Sequence, residues 1–355
     1  MPSPKNKIQD ELLAQLEAHH QNHLPFVIFK YPGASELKAI LQSDASLNFT
    51  SNFTEPGFVF SPFDDGQRTI LLRPDDVLIA KLHNTELPKE SSLRQHIEDQ
   101  KEASRYKKLV ADAITAIQQH DLRKVVLSRP IEVATANSAI NIFNQLSREY
   151  PTAFCYCWYH PKVGCWVGAT PEILLKVQGA QFTTVALAGT IEKSGTEKPN
   201  WQAKEREEQQ LVTQYILEVA ADLGIEVNSS EAQTTDAGAL WHLKTTLSGK
   251  VQPEQIASMI RSLHPTPAVC GIPLKESMYY IEQHEGYPRK FYTGYLGEIK
   301  EGSQREIQLF VNLRCMEYRE GKAIVYVGGG ITRDSDPEKE WQETIAKSRT
   351  ILKVL

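Results

Sequence analysis

Long apolar runs are missing from this sequence. No stretch of about 18 consecutive apolar residues is available to form a transmembrane helix. The start, MPSPKNKIQDELL, has acidic residues where a signal peptide needs an apolar segment. We therefore expect a cytoplasmic protein that does not enter a membrane.

Cysteine is scarce, and positive charge is not in excess. The five cysteines, Cys155, Cys157, Cys165, Cys270 and Cys315, lack the paired CxxC spacing of a zinc site. We expect them to be small buried residues in a reducing compartment. The formal net charge of -5 gives no electrostatic footprint for nucleic acid. An anionic ligand must therefore be held by local cations or a metal, and the expected substrate is small.

Strand-like runs dominate the 355 residues, of which 41% are hydrophobic. They are rich in β-branched and aromatic residues and are bounded by Gly, Pro or polar turns; examples are KVVLS, TAFCYCWYH, CWVGATPEILLKV, QFTTVALAGT, EIQLFVNLRCMEY and KAIVYVGGG. Two helices interrupt them, one from about Pro199 to Leu223 and one that begins at Asp336-Pro337. Strands far outnumber crossover helices, which predicts an α+β fold with large antiparallel sheets.

Each of these helices places at least one carboxylate on a defined face. Glu208 lies four residues before Val212, on the apolar stripe of its helix, and first-turn acids also occur simply because they offset the helix dipole. Glu340, Glu343 and Lys347 share one face of the C-terminal helix, where Glu343 and Lys347 could equally form a surface ion pair. If the two helices meet, their carboxylates suit Mg²⁺.

Two features of the last strands suit an anionic ligand. Arg314 lies within EIQLFVNLRCMEY, whose alternation predicts one continuous strand, and its guanidinium fits a carboxylate in two-point contact. A solvated sheet face explains a strand arginine almost as well. Gly328, Gly329 and Gly330 let a ligand approach the backbone closely, although they form no Walker motif.

An acid and a base are available in apolar surroundings. Lys124, within RKVVLSRP, is expected to lose hydration and act as a general base, with an edge-strand lysine as the alternative. Glu172, after Ala-Thr-Pro, is expected to stay protonated and act as an acid. His242 and His264 are further candidates, but a lone histidine in an apolar run is more often a core residue.

Taken in order, these motifs resemble those of the chorismate-utilising enzymes, and within them most closely the isochorismate synthases. The resemblance rests on KVVLSR, GATPE, ALAGT, KEREEQQLV, LWHL, LHPTPAVCG, the strand arginine, GGGI and EWQETIAK. It covers about residues 103 to 355 as a catalytic core, with residues 1 to 102 as a divergent part of one domain spanning 1 to 355. It implies a two-lobed α+β fold with large twisted antiparallel sheets, peripheral helices and a site between the lobes.

The resemblance also implies a role for each candidate residue. Lys124 would draw a proton from water that attacks C2 of chorismate, and Glu172 would protonate the departing C4 hydroxyl. Glu208 and Glu343 would bind Mg²⁺, with Glu340 reaching it through water or supporting the direct ligands. The substrate would contact Gly189, Thr190, His242, Ala268, Tyr292, Arg314, Gly328 and Lys347. No redox cofactor is expected.

Three other functions remain open on the sequence. Salicylate synthases share the lysine and go on to eliminate pyruvate. A catalytically silent chorismate-binding protein would belong to another class. Aminating relatives would need no water-activating lysine and would use a glutaminase partner. Lys124 argues against them, so we expect no glutaminase subunit. We also expect a monomer. Isochorismate feeds both menaquinone and siderophore synthesis, and the sequence does not distinguish them.

Overall fold

Two large β-sheets form the framework of the molecule. The computed structural model describes residues 1–64, 66–83, 100–119, 121–193, 198–237, 240–300 and 305–355. In spatial order, the strands of the first sheet are β1 (Lys5–Lys7), β7 (Asp76–Lys81), β3 (Glu36–Leu41), β2 (Phe26–Lys30), β9 (Phe154–His160), β10 (Gly164–Thr170), β19 (Cys315–Arg319), β20 (Lys322–Ile331), β8 (Lys124–Ala134) and β16 (Gly271–Ile272).

The second sheet has a similar size. Its strands, in spatial order, are β13 (Val227–Ser229), β15 (Leu240–Lys250), β12 (Gln181–Glu192), β11 (Ile173–Gln178), β18 (Glu306–Val311), β17 (Tyr295–Lys300), β5 (Gly57–Ser61), β6 (Thr69–Leu72) and β4 (Asn48–Thr50), with β14 (Gln233–Ala237) paired to β15. The described strand pairs are antiparallel, apart from the parallel pair of β1 and β7. The predicted fold of large antiparallel sheets with helices is therefore confirmed.

Helices pack on the sheets. Those in the described residues are α1 (Gln9–Gln21), α2 (Gln100–Gln119), α3 (Ala139–Glu149), α4 (Ala203–Asp222), α5 (Pro253–Leu263), α6 (Leu274–His284) and α7 (Pro337–Leu352). The predicted start of α7 is confirmed, because the Asp336 side chain accepts a hydrogen bond from the Lys339 N–H. α4 begins a few residues later than expected, since Gln202 caps it in a capping box with Glu205. None of the described helices is long and apolar enough to cross a membrane.

An aromatic core fills the space between the sheets. It combines Phe29 and Trp158 of the first sheet with Phe58 and Phe310 of the second. Separate apolar clusters join α1 and α3 to the first sheet, α4 and α5 to the second, and α2, α6 and α7 to β8. All five cysteines are buried thiols, as predicted. The shared aromatic core holds the two sheets against each other.

The chain crosses from one sheet to the other at two neighbouring points, which the sequence did not reveal. CWVGATPEILLKV forms β10 of the first sheet and β11 of the second, separated at Pro171 and Glu172. EIQLFVNLRCMEY forms β18 and β19, also in different sheets, so the prediction that Arg314 lies within one continuous strand is wrong. Arg314 lies instead between these strands, with a φ of 46°. The apolar pattern of the sequence continues through each crossing because the strands before and after it are largely buried.

The first hundred residues contribute to both sheets. β1, β2, β3 and β7 extend the first sheet beyond β9, and β4, β5 and β6 extend the second beyond β17. Phe58 and Phe60 of β5 are fully buried in the core between the sheets. This part of the chain therefore completes the framework that carries the site.

Candidate active site

A cavity lies where the two sheets and two helices meet. We call it the inter-sheet cavity; its volume is about 130 Å³, and its wall includes residues of β12, β15, β20, α4 and α7. At about 10–15 Å³ for each water-sized volume, it holds roughly ten small groups, which suits a small organic acid. The predicted site residues in its lining are Glu172, Gly189, Glu208, His242, Ala268, Tyr292, Arg314, Gly328, Glu340, Glu343 and Lys347.

Lys124 lies directly behind this wall. Its side chain is fully buried at the start of β8, and its Nζ donates a hydrogen bond to Glu208 Oε1 at 2.8 Å. A Cβ added to Gly330 would lie 2.8 Å from Lys124 Cε and 2.9 Å from Glu208 Oε1. The bare backbone of Gly330 thus makes room for the contact between this lysine and this carboxylate. The edge-strand alternative does not fit, because β8 lies between β20 and β16.

Glu172 and Arg314 enter the cavity from the two crossings between the sheets. The crossings are bonded to each other: the Val311 N–H donates to Glu172 O at 3.0 Å, and the Ala169 N–H donates to Arg314 O at 3.1 Å. Thr170 Oγ1 also donates to Val311 O at 2.7 Å. Glu172 and Arg314 therefore lie on two segments that are hydrogen-bonded to each other.

Burial controls the charge of Glu172. It raises the pKa of this carboxyl to about 7, although the cations Lys124, Lys347 and Arg314 act to lower the pKa. Burial likewise lowers the pKa of Arg314, which nevertheless stays a cation because a guanidinium ionises only far above neutrality. An acid that is about half protonated near neutral pH thus lines the same cavity as the guanidinium of Arg314.

His242 is held as a neutral ring. Burial, then Arg314 and Lys347, lower its pKa to about 3. Its Nδ1 lies 3.2 Å from Gly189 O, and a carbonyl can only accept, so Nδ1 carries the proton. Gly189 has a φ of 74°, and the register of β12 against β15 shifts at this point, which makes a bulge that glycine accommodates. The backbone of Thr190 pairs with His242, but its side chain lies outside the described residues.

Two carboxylates of α7, those of Glu340 and Glu343, lie close to the backbone of Gly329 in β20. A Cβ at Gly329 would lie 3.0 Å from Glu340 Oε2 and 3.6 Å from Glu343 Oε1. Lys347 Nζ donates to Gly328 O at 2.9 Å and to Glu343 Oε1 at 2.6 Å. The predicted face of α7 is confirmed in this respect: these three side chains all reach the inter-sheet cavity.

One wall of the cavity is aromatic. Tyr292 stacks on Tyr326 with ring centroids 5.3 Å apart, and both tyrosines line the cavity. Sequence reasoning missed Tyr326, although period-two alternation along KAIVYVGGG assigns it to the same face as Gly328 and Gly330. It also missed Thr293 and Glu205, whose positions depend on a loop and on the cap of α4.

His264 belongs elsewhere. It is buried against Tyr295 and lies 3.2 Å from Pro62 O, outside the residues that line the inter-sheet cavity. Burial lowers its pKa to about 4, so it is a neutral core residue.

Comparisons with known proteins identify the family of this chain. The family model described as "Chorismate binding enzyme" matches residues 67–355. The isochorismate synthase EntC of Escherichia coli is 33% identical over 257 residues, which cover 69% of this chain and 64% of EntC. The isochorismate synthase DhbC of Bacillus subtilis is 25% identical over 317 residues, or 83% of this chain and 79% of DhbC. The match thus spans a little under two thirds of EntC.

Solved structures share the fold. The menaquinone-specific isochorismate synthase MenF of Escherichia coli superposes with a TM-score of 0.73 at 21% identity, over 92% of this chain and 88% of MenF. Anthranilate synthase component I of Streptococcus pneumoniae superposes with a TM-score of 0.67 at 17% identity, over 92% of each chain. The family model covers most of the sequence and the inter-sheet cavity, and the chain belongs to the chorismate binding enzymes.

Proposed function

We propose that this protein is an isochorismate synthase that interconverts chorismate and isochorismate with Mg²⁺. The observation that carries the proposal is that one cavity has a buried carboxyl in its lining and a buried lysine directly behind its wall. Lys124 is fully buried beside Glu208, and Glu172, with a pKa of about 7, faces the same cavity. One basic and one acidic group in unlike environments is what an exchange of hydroxyl groups requires.

In this proposal the chain's own residues move two protons. Lys124 takes a proton from the water that attacks C2, and Glu172 gives a proton to the departing C4 hydroxyl. The ring double bonds shift between the two positions, so water adds on one carbon and leaves from another without net oxidation. His242, neutral and with Nδ1 bound to Gly189, keeps its orientation during the reaction because it takes no proton near neutral pH.

Substrate binding in this proposal uses charge and shape. Arg314 and Lys347 supply cations for the substrate carboxylates, and the fork of Arg314 suits two-point contact. Tyr292 and Tyr326 give a flat wall for the ring. Backbone near Gly189, Ala268 and Gly328 completes the cavity. Thr190 remains a proposed contact of the same segment.

The carboxylates of the cavity fit a magnesium ion in their chemistry. Glu208, Glu340 and Glu343 offer only oxygen donors, which Mg²⁺ prefers, and an anionic substrate beside them calls for an added positive charge. Among the described residues, no three side chains are gathered closely enough to hold a metal by themselves. Water and the substrate would therefore supply the remaining ligands around Glu208 and Glu343. The bound ion would neutralise the substrate carboxylate and fix its position.

The rest of the proposal concerns the whole chain. We infer that residues 1–355 act as one domain, since strands from the first hundred residues lie in both sheets. We also propose that the chain works as a monomer in the cytoplasm, without a glutaminase subunit. Its relatives include both a vibriobactin-specific and a menaquinone-specific isochorismate synthase, so the pathway is left at isochorismate.

Incubation of the purified protein with chorismate, with and without Mg²⁺ or a chelator, tests the proposal. Chromatography should show isochorismate in equilibrium with chorismate, lost on chelation and in Lys124→Ala. Salicylate with pyruvate would identify a salicylate synthase instead. Turnover only with ammonium salts would indicate an aminating enzyme. An unchanged chorismate pool, together with binding in calorimetry, would identify a non-catalytic binding protein.

A further inference from the structure

A buried ion pair lies beside the inter-sheet cavity and has no part in the proposed chemistry. Arg289 and Glu285 are 4% and 3% exposed, just beyond the end of α6. Arg289 Nη2 donates to Glu285 Oε1 at 2.5 Å, and its Nε donates to Oε2 at 2.8 Å. This two-point contact leaves further guanidinium N–H groups to bind elsewhere.

Those N–H groups bind three separate segments of the cavity wall. Nη2 donates to Val126 O in β8 at 2.6 Å, and Nη1 donates to Val269 O at 2.9 Å and to Thr293 Oγ1 at 3.2 Å. Val126, Val269 and Thr293 all line the inter-sheet cavity. One planar group therefore joins three stretches of chain that are distant in sequence.

Each of the three contacted residues lies one or two positions along the chain from a residue of the proposed function. Val126 is two residues from Lys124 on the same face of β8, Val269 follows Ala268, and Thr293 follows Tyr292. The Arg289 guanidinium carbon also lies 5.8 Å from the ring centroid of Tyr292.

Glu285 strengthens the hold on β8. Its Oε1 accepts hydrogen bonds from the N–H and from the Oγ of Ser128, each at 2.8 Å. Ser277 Oγ of α6 lies 3.0 Å from Lys124 O and 2.7 Å from Pro273 O, and its single O–H can donate to either. Residues 124, 126 and 128, which share one face of β8, are thus all contacted from α6 and the segment after it.

We propose that Arg289, held by Glu285, is a positioning residue that sets Lys124, Ala268 and Tyr292 in their working geometry. This inference rests on the proposed function. A buried ion pair is weak evidence for stability alone, since apolar residues of similar size often stabilise as well. A planar group with several fixed donors fits the task of aligning three wall segments, and small misplacements in an active site can cost about a hundredfold in rate.

The experiment compares Arg289→Lys and Arg289→Ala with wild type under saturating Mg²⁺. Lysine keeps the charge but loses the planar fork. We expect kcat per folded molecule to fall about tenfold to a hundredfold in Arg289→Lys and further in Arg289→Ala. Millimolar guanidinium chloride should restore part of the activity of Arg289→Ala, while ethylammonium should not. Circular dichroism and thermal unfolding give the folded fraction.

Glu298→Gln serves as the matched control. Glu298 is also a buried carboxylate, 1% exposed, but its partners Tyr31 and Lys38 lie outside the cavity lining. It should lose stability and keep kcat, whereas Glu285→Gln should lose kcat. If Arg289→Lys retains wild-type kcat and KM, or if Glu298→Gln loses as much kcat as Glu285→Gln, the positioning role is wrong.

The wild-type protein is assayed first, so that failure of the two proposals can be told apart. If wild type does not turn over chorismate, the proposed function fails, and the positioning role is then measured by calorimetry of chorismate binding. Because Ala268 and Tyr292 would still form the binding wall, Arg289→Lys should weaken binding about tenfold or more. Equal affinity of the variant and wild type would overturn the inference.

Discussion

The Nζ of Lys124 lies 2.8 Å from Oε1 of Glu208, and the pair is packed against the backbone of Gly330. One carboxylate of α4 therefore contacts the proposed base and also faces the cavity in which the proposed metal and substrate bind. This contact joins the first sheet to the helix on the second sheet. We therefore expect a substitution at Lys124 or Glu208 to affect the base, Mg²⁺ binding and substrate binding together.

Replacement of Lys124 should strongly lower kcat without unfolding the protein. In Lys124→Met the general base is lost, which we expect to lower kcat by about 10²- to 10⁴-fold. Isochorismate formation is measured by chromatography, and the folded fraction by circular dichroism.

Lys30→Met is the matched control for that variant. Lys30 is also a buried strand lysine of the first sheet, 1% exposed, and its Nζ donates to Pro151 O at 2.9 Å. Neither residue belongs to the cavity lining. Both variants remove a buried lysine, but only Lys124→Met should lose turnover. Equal losses of kcat in the two variants would assign the effect of Lys124 to folding.

The activity should fall as pH rises through about 7. Glu172 must be protonated to donate to the leaving hydroxyl, and burial raises its pKa to about 7. A profile of kcat/KM between pH 5 and 9 should therefore contain a basic limb near that value. Glu172→Gln should show a low rate without this limb. A limb of unchanged position in Glu172→Gln would assign it to another group.

The same shift makes stability depend on pH. The folded pKa of Glu172 lies above its ordinary value of 4.5, so the folded state holds the proton more tightly. The contribution of this proton to the free energy of unfolding is full below about pH 4.5 and is lost as pH rises to about 7. A shift of this size corresponds to roughly 3 kcal/mol. Urea unfolding at pH 5 and pH 8 should show a smaller loss of stability for Glu172→Gln than for wild type.

Loss of either proposed ligand should weaken Mg²⁺ binding. Glu208→Gln and Glu343→Gln each remove one anionic oxygen donor, and we expect the Kd for Mg²⁺ to rise on the order of tenfold or more. Titration calorimetry with magnesium chloride and a chorismate-containing sample measures this directly. Glu338→Gln on the same helix is the control, since Glu338 is exposed and pairs with Lys107. A similar Kd in all three variants would contradict the ligand assignment.

The helix faces of the site follow from the sequence, whereas the crossings between the sheets do not. Helical periodicity orients α4 and α7, and Asp336-Pro337 marks the start of α7, so Glu340, Glu343 and Lys347 could be grouped on one face from their spacing. That Glu208 of α4 joins them was implied only by the family resemblance. The positions of Glu172 and Arg314 could not be predicted in this way. Buried strands on both sides preserve the apolar alternation, and no glycine or proline marks residues 312–314. At the other crossing, Pro171 is a local signal of a change of sheet.

The contacts of Arg289 were beyond sequence reasoning for another reason. Its partners Val126, Val269 and Glu285 are brought together only by the packing of β8 and α6. No periodicity links such distant positions. The fold class and most residues of the site could thus be predicted, whereas the connections between them depend on long-range packing.

Two substitutions at Arg314 should distinguish the effect of backbone strain on stability from the effect of the guanidinium on substrate binding. Its φ of 46° suits glycine better than alanine, because a Cβ disfavours this conformation. Arg314→Gly and Arg314→Ala both remove the guanidinium, so both should raise KM for chorismate by about tenfold or more. Arg314→Ala should in addition be less stable than Arg314→Gly by about 1 kcal/mol. Steady-state kinetics and urea unfolding measure the two effects; an unchanged KM in both variants would show that Arg314 does not bind the substrate.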